Sequence, residues 1–267
     1  MRLVRLAGLL VGLGAWIGGC HCLAACAHVP PRPAEVDAPP APEAPPGPWF
    51  TLATSRQGRP IRAATFGHGP RRVLWVGGIH GDEREGAQAT AALPDAFLAE
   101  PGATERVTLT VIEDLNPDGT HARRRTNARG VDLNRNFPAQ SFHPGRNGPA
   151  PLSEPEALAL YELILGWQPE LVLVAHSWRA AQFVNYDGPA RAAAERFAAL
   201  SGFELRPSSA LAPTPGSLGS WAAECGLALL TLEYRRGTDP RAAWEATRAA
   251  ILAVVLGDLL DQPPPDP

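Results

Sequence analysis

Three short apolar runs constrain the fold most: "RRVLWVGG" at 71–78, "ELVLVAHS" at 170–177 and "LALLTLEY" at 227–234. Each is too short for a stable helix and is bounded by glycine or polar residues. Such runs read as strands buried on both faces. "RVTLTVIED" at 106–114 is a fourth strand, alternating and rich in β-branched residues. Helical stretches separate them. "EREGAQATAALPDAFLAE" (83–100) reads as a helix with a break at Pro94, and "SEPEALALYELILGW" (153–167) opens on a Ser153–Glu156 capping box with Pro155 in its first turn. "PARAAAERFAALSG" and "SLGSWAAECG" are helices closed by Gly202 and Gly226, and residues 240–261 form a long last helix. This order predicts a single α/β domain, with a mixed, mostly parallel central sheet flanked by helices. A chain of 267 residues that is 45% hydrophobic can bury one such core.

The ends have a different character. Arg2 and Arg5 precede the apolar stretch "LAGLLVGLGAWIGG", which is shorter than the roughly 20 residues that span a bilayer. It reads as a signal peptide. "IGGC" and "LAAC" both resemble the bacterial lipoprotein box, making Cys26 (or Cys20) the expected lipidation site, with a signal segment over 1–26. Residues 27–48 are mostly Pro, Ala and acid, a linker composition that cannot bury a core. Residues 49–261 are the expected domain and 262–267 a disordered tail. The layout predicts an exported lipoprotein, tethered to a membrane of the bacterial cell envelope by an N-terminal lipid anchor. Cys225 is the domain's sole cysteine, so the fold is not held by disulfides. A net charge of −3 gives no reason to expect nucleic acid, and the absence of lysine removes any lysine Schiff base or lysine general base.

In open sheets of this class, sites form beyond the carboxyl ends of the strands. His80 and Glu83 follow the strand at 73–76, His176 follows 171–175, and Glu233 ends the strand at 229–232. Asn116 and Asp118 follow the strand at 107–112. Taken singly, each has a plain alternative as a hydrogen-bonded turn residue. Together they put four metal-binding or acid–base groups on one sheet edge. Two histidines and a glutamate, with a fourth position open to water, make a catalytic zinc set.

"GGIHGDE", "NPDG", "TNARGVDLNRNFP", "SEPE", "AHS", "TPGSLGSW" and "TLE" occur in the order found in the zinc carboxypeptidase family, and the chain most resembles its murein peptide amidase branch. The resemblance spans about 73–235. It implies one Zn2+ ion held by His80, Glu83 and His176, with Glu233 as general base and Arg125 stabilising the oxyanion. Arg123 and Arg124 stand beside Arg125, and that assignment could fall on either of them. Asn134 and Arg135 would grip the substrate's terminal carboxylate, which suits the guanidinium fork. Asp132 would orient His80.

Two departures from the family pattern stand out. Leu211, Ala212 and Pro213 occupy the region where the family usually carries a tyrosine, and the stretch after His176, "SWRAAQFVNYDG", differs from the amidase branch. The implied reaction is hydrolysis of an amide bond next to a C-terminal carboxylate, most specifically the γ-D-Glu–diaminopimelate bond of murein peptides. The rivals are a general metallocarboxypeptidase, a deacylase of the aspartoacylase and succinylglutamate desuccinylase type, and an inactive cell-wall-binding lipoprotein. "NPDG", "SEPE" and "TPGSLGSW" argue against the deacylase. The presence of His80, Glu83, His176 and Glu233 together argues against the inactive binder.

Overall fold

A computed structural model describes residues 48–257. The signal segment, both candidate lipidation cysteines, all of the linker but its last residue, and the C-terminal tail lie outside the described residues. Among the described residues there are eight strands: β1 (Trp49–Thr54), β2 (Pro60–Phe66), β3 (Arg71–Val76), β4 (Val107–Ile112), β5 (Leu171–Trp178), β6 (Phe183–Asp187), β7 (Glu204–Pro207) and β8 (Leu229–Arg235). The helices are α1 (Ala87–Leu98), α2 (Ala103–Arg106), α3 (Pro117–Ala122), α4 (Pro155–Trp167), α5 (Arg191–Ser201), α6 (Leu218–Cys225) and α7 (Pro240–Leu256).

The strands form one sheet in the order β1-β2-β4-β3-β5-β8-β6-β7. The four strands expected from the apolar runs are its parallel centre, β4-β3-β5-β8. Antiparallel pairings join β2 and β1 at one side and β6 at the other. The mixed, mostly parallel α/β sheet is therefore present, with four further strands at its margins. Alternation along the strands splits the core in two. Val73, Trp75, Leu171, Leu173, Leu230 and Leu232 pack under α1, α5 and α7. Leu74, Val76, Val172, Val174 and Leu229 face α4 and α6. Layers on both faces explain why β3 and β5 are largely apolar rather than alternating.

Two local expectations are corrected. Helix α1 runs through Pro94 instead of breaking there. An interior proline costs a helix roughly 3 kcal/mol, and burial of Leu93, Pro94 and Phe97 in the core offsets it. The capping box also fails to form. Glu154 is the N-cap of α4 and makes no side-chain cap bond, while Pro155 does open the helix. Ser153 Oγ donates to Glu154 Oε1 (3.1 Å). Glu156 turns inward to accept from Arg56 N (3.0 Å) and Asn127 Nδ2 (3.3 Å), and Glu154 Oε2 also accepts from Asn127 Nδ2 (2.8 Å). Both carboxylates are fully buried. Long-range donors have displaced a local cap, because a buried carboxylate must be hydrogen-bonded. Asn116 and Asp118 are structural in the same way. Asn116 caps α3 by accepting from Gly119 N, and Asp118 accepts from Ser55 Oγ (2.9 Å) and Gln57 N (3.0 Å), tying the β1–β2 turn to α3.

Candidate active site

Strand β3 delivers the first two site residues. Past Val76 the chain turns at Gly78, whose φ of +67° suits glycine and where a Cβ would lie 2.3 Å from Asp114 Oδ1. At Gly81 a Cβ would lie 2.0 Å from the Gly119 carbonyl carbon, so the loop packs directly on the backbone of α3. Glu83 N donates to His80 O (3.2 Å), a tight turn that puts both side chains on one side. His176 and Glu233 lie inside β5 and β8 rather than beyond their ends, and parallel register makes them neighbours. They continue the face on which Val172, Val174 and Leu229 are apolar. The sheet face thus changes from core to chemistry within two residues.

His80, Glu83 and His176 offer ligand atoms that all lie within 4.8 Å of one another. His80 Nδ1 is 3.0 Å from Glu83 Oε1, and His176 Nδ1 is 2.9 Å from Glu83 Oε2. His80 Nε2 donates to Asp132 Oδ1 (3.0 Å). That bond assigns the ring's proton to Nε2 and leaves Nδ1 as the lone-pair atom. Nδ1 is buried and has no hydrogen-bond partner. An orphaned imidazole nitrogen beside a carboxylate and a second imidazole is the donor set of a divalent transition metal. Burial pushes Glu83 up, but the His176 and His80 imidazoles beside it outweigh that and hold the carboxyl well below its usual range. It is therefore anionic, as a ligand must be.

Asp132 does more than orient His80. Its Oδ2 accepts from Arg125 Nε (2.9 Å), and Arg125 Nη1 donates to Glu83 Oε1 (2.9 Å). Burial raises the Asp132 carboxyl, but the bond from His80 together with the charges of His80, Arg125 and Arg135 outweighs it, leaving it well below the ordinary range. Of the three adjacent arginines, it is Arg125 that reaches the pocket. Arg123 ends α3 in a left-handed turn (φ 52°) that redirects the chain. Asp132→Ala is expected to weaken zinc binding by about 10–100-fold while the protein stays folded, as read by competition with a metal chelator and by circular dichroism.

Glu233 faces this cluster from β8. Burial raises its carboxyl, His176 opposes that rise and Glu83 adds to it; the net direction is upward. Its Oε2 is buried without a hydrogen-bond partner. A carboxylate with a raised pKa and a spare oxygen on a pocket suits proton transfer. Arg135 and Asn134 line the same pocket, which has a volume of about 340 Å³. The Asn134 amide is already engaged: Oδ1 accepts from Leu218 N (3.0 Å), and Nδ2 lies 3.3 Å from His176 Nε2. Arg135 donates only to Asn134 O, through Nη1, among the described residues. It is therefore the member of that pair with donors to spare.

Several contributors lie beyond the sequence reading. Ser177 N donates to Glu83 Oε2 (3.0 Å), and Ser177 Oγ donates to Glu85. Glu85 Oε1 accepts from Gly237 N (2.7 Å), so the loop carrying His80 and Glu83 is fastened to the ends of both β5 and β8. Arg236 bridges Asp82 (2.9 Å) and Glu83 (3.4 Å). Asp187, at the end of β6, lines the pocket beside Gly219, where a Cβ would fall 2.5 Å from its Oδ2. Adjacency to a ligand was a usable signal for Ser177 and Glu85. Asp187 falls in the divergent stretch after His176, but the residues of β6 do not read as a strand, so the stretch does not single it out.

A family model for zinc carboxypeptidases matches residues 49–243. Murein peptide amidase A of Escherichia coli K12 is 34% identical over 179 residues, covering 60% of this chain and 70% of that protein. The crystal structure of murein-tripeptide amidase MpaA from Escherichia coli O157 superposes with a TM-score of 0.65 at 28% identity, over 80% of this chain and 94% of the other. Carboxypeptidase A from Helicoverpa armigera has the same fold, with a TM-score of 0.63 at 16% identity over 79% of this chain and 69% of the other. With the His80, Glu83 and His176 cluster at the mouth of that fold, the chain belongs to the zinc carboxypeptidase family and is a metallopeptidase.

Proposed function

We propose that this enzyme uses one zinc ion to hydrolyse the amide bond that joins a γ-linked D-glutamyl residue to diaminopimelate in murein peptides. One observation carries the reading: a His–Glu–His donor set, a partnerless carboxylate and an arginine with free donors share one pocket. Similarity to the murein peptide amidases supports the substrate.

His80, Glu83 and His176 would hold the ion. Zinc bound there supplies Lewis acidity to the scissile carbonyl and lowers the pKa of the attacking water. Glu233 takes the proton of that water and passes it to the departing amine. Arg125 is 41% exposed while anchored by Glu83 and Asp132, so a donor is held where negative charge develops on the oxygen. Arg135 binds the terminal carboxylate and fixes the distance from it to the bond that breaks. Asp187 supplies a carboxylate to the same pocket. Diaminopimelate carries an ammonium on its side chain, and a plain apolar C-terminal residue does not. The signal segment and lipoprotein box read from residues 1–26 would place the enzyme at the cell envelope, where murein peptides occur.

The test is zinc-loaded protein with L-Ala-γ-D-Glu-diaminopimelate, ordinary C-terminal L-peptides and N-acyl amino acids, with products identified by mass spectrometry. Release of diaminopimelate from the tripeptide, with little hydrolysis of the other two sets, is the expected outcome. Preference for ordinary peptides would make it a general carboxypeptidase. Action on N-acyl amino acids alone would make it a deacylase.

A further inference from the structure

A second depression, of about 430 Å³, opens on the same ligand cluster. It shares Glu83, Arg125, Ser177 and Trp178 with the main pocket, but reaches Arg179 and Arg236 in place of Asn134 and Arg135. If the C-terminal residue is held at Arg135, the acyl portion of the substrate has to leave past the cluster on this other side. Its lining carries three arginines against the carboxylates of Asp82 and Glu83. Arg125 is matched by Glu83 and Asp132, and Arg236 by Asp82 and Glu83. Arg179 is exposed and has no ion pair among the described residues. Arg236 Nε is buried and lacks a hydrogen-bond partner, as does Asp82 Oδ1. Trp178, 49% exposed and braced edge-on by Phe183, lies next to Arg179 and also lines the groove.

We infer that this groove, through Arg179, binds the free α-carboxylate of a γ-linked glutamyl residue on the acyl side of the scissile bond. The inference rests on the murein-peptide reading and sharpens it. In an ordinary α-peptide the residue that donates the scissile carbonyl has no free backbone carboxylate. In a γ-glutamyl amide the α-carboxylate is free, and its carbon lies four bonds from the scissile carbon, about 5 Å when extended. An unpaired guanidinium complements that group through charge-assisted, two-pronged hydrogen bonds. Linkage would then be read as a charge on one side of the cluster, independently of the residue released on the other.

The experiment uses the full-length, zinc-loaded protein in detergent. It compares L-Ala-γ-D-Glu-diaminopimelate with the same tripeptide carrying an α-carboxamide, which removes the charge and keeps the shape. Wild-type kcat/KM is expected to be about tenfold lower for the carboxamide, the scale of one charge-assisted hydrogen bond in a wet groove. Arg179→Gln is expected to slow the carboxylate substrate and bring the ratio close to one, and Arg179→Lys to restore part of it. Equal wild-type rates on the two tripeptides, or a wild-type ratio in Arg179→Gln, would overturn the inference. If neither tripeptide is cleaved while ordinary peptides are, the murein reading is what fails. The groove is then tested by Glu against Gln immediately before the scissile bond: a preference for Glu supports it, and equal rates refute it.

Discussion

Glu233→Gln is expected to bind zinc as the wild type does and to lose about 10²–10⁴-fold in kcat, the usual contribution of a positioned general base. The substitution keeps the shape of the side chain and removes only its ability to take a proton. Glu233 is placed by β8, whose flanking residues Leu232 and Tyr234 are buried in the core, so the amide will sit where the carboxylate sat. Its Oε2 has no protein hydrogen-bond partner, and no internal bond is lost. The variant should therefore separate chemistry from folding and from metal binding. Three measurements decide it: kcat on the best substrate, zinc per chain by elemental analysis, and thermal stability. Retention of most of the activity would remove Glu233 from the role of base.

His176→Ala should act on the metal instead. Deleting the imidazole removes one of three donors and leaves Glu83 Oε2 with Ser177 N as its remaining hydrogen-bond donor. Losing a residue that merely orients a ligand costs about 10–100-fold in affinity, and losing the ligand itself should cost more than that. Zinc content and activity should both fall to background. The fold should survive, because His176 lies past the apolar residues 171–175 that anchor β5 in the two cores. Stability supplies an independent readout. A ligand that binds the folded state alone raises Tm with its concentration. Added zinc should raise the Tm of the wild type and leave that of His176→Ala unchanged. A zinc-dependent rise of wild-type size in the variant would exclude His176 from the donor set.

Legibility in the sequence followed burial. Strands β3, β4, β5 and β8 are enclosed on both faces, so each needed an apolar or β-branched run that is visible without neighbours. Strands β1 and β7 form the sheet edges and are largely half-exposed, so their composition says little. β2 and β6 are largely buried, but each carries polar residues among the apolar ones. Pro94 and Ser153 show the limit of local rules. A proline inside a helix and a serine three residues before a glutamate have clear intrinsic preferences, and core packing or a distant donor overrode both.

The sequence by itself determined the α/β class, the central strands and the set of residues able to do chemistry, since apolar runs and their polar ends are local facts. It did not place every carboxylate. Glu83 and Glu233, singled out at strand ends, line the pocket, whereas Asp118 at the same edge, and Glu154 and Glu156 at a helix start, are buried supports. That sorting depends on partners far along the chain: Arg56 for Glu156, 100 residues away, Ser55 for Asp118, 63 away, and His176 for Glu83, 93 away. The choice of Arg125 among three neighbouring arginines likewise depended on the left-handed turn at Arg123 and on Glu83, 42 residues distant. A side chain's role follows from which groups satisfy its charge once water is excluded, and only the closed tertiary structure decides which groups those are.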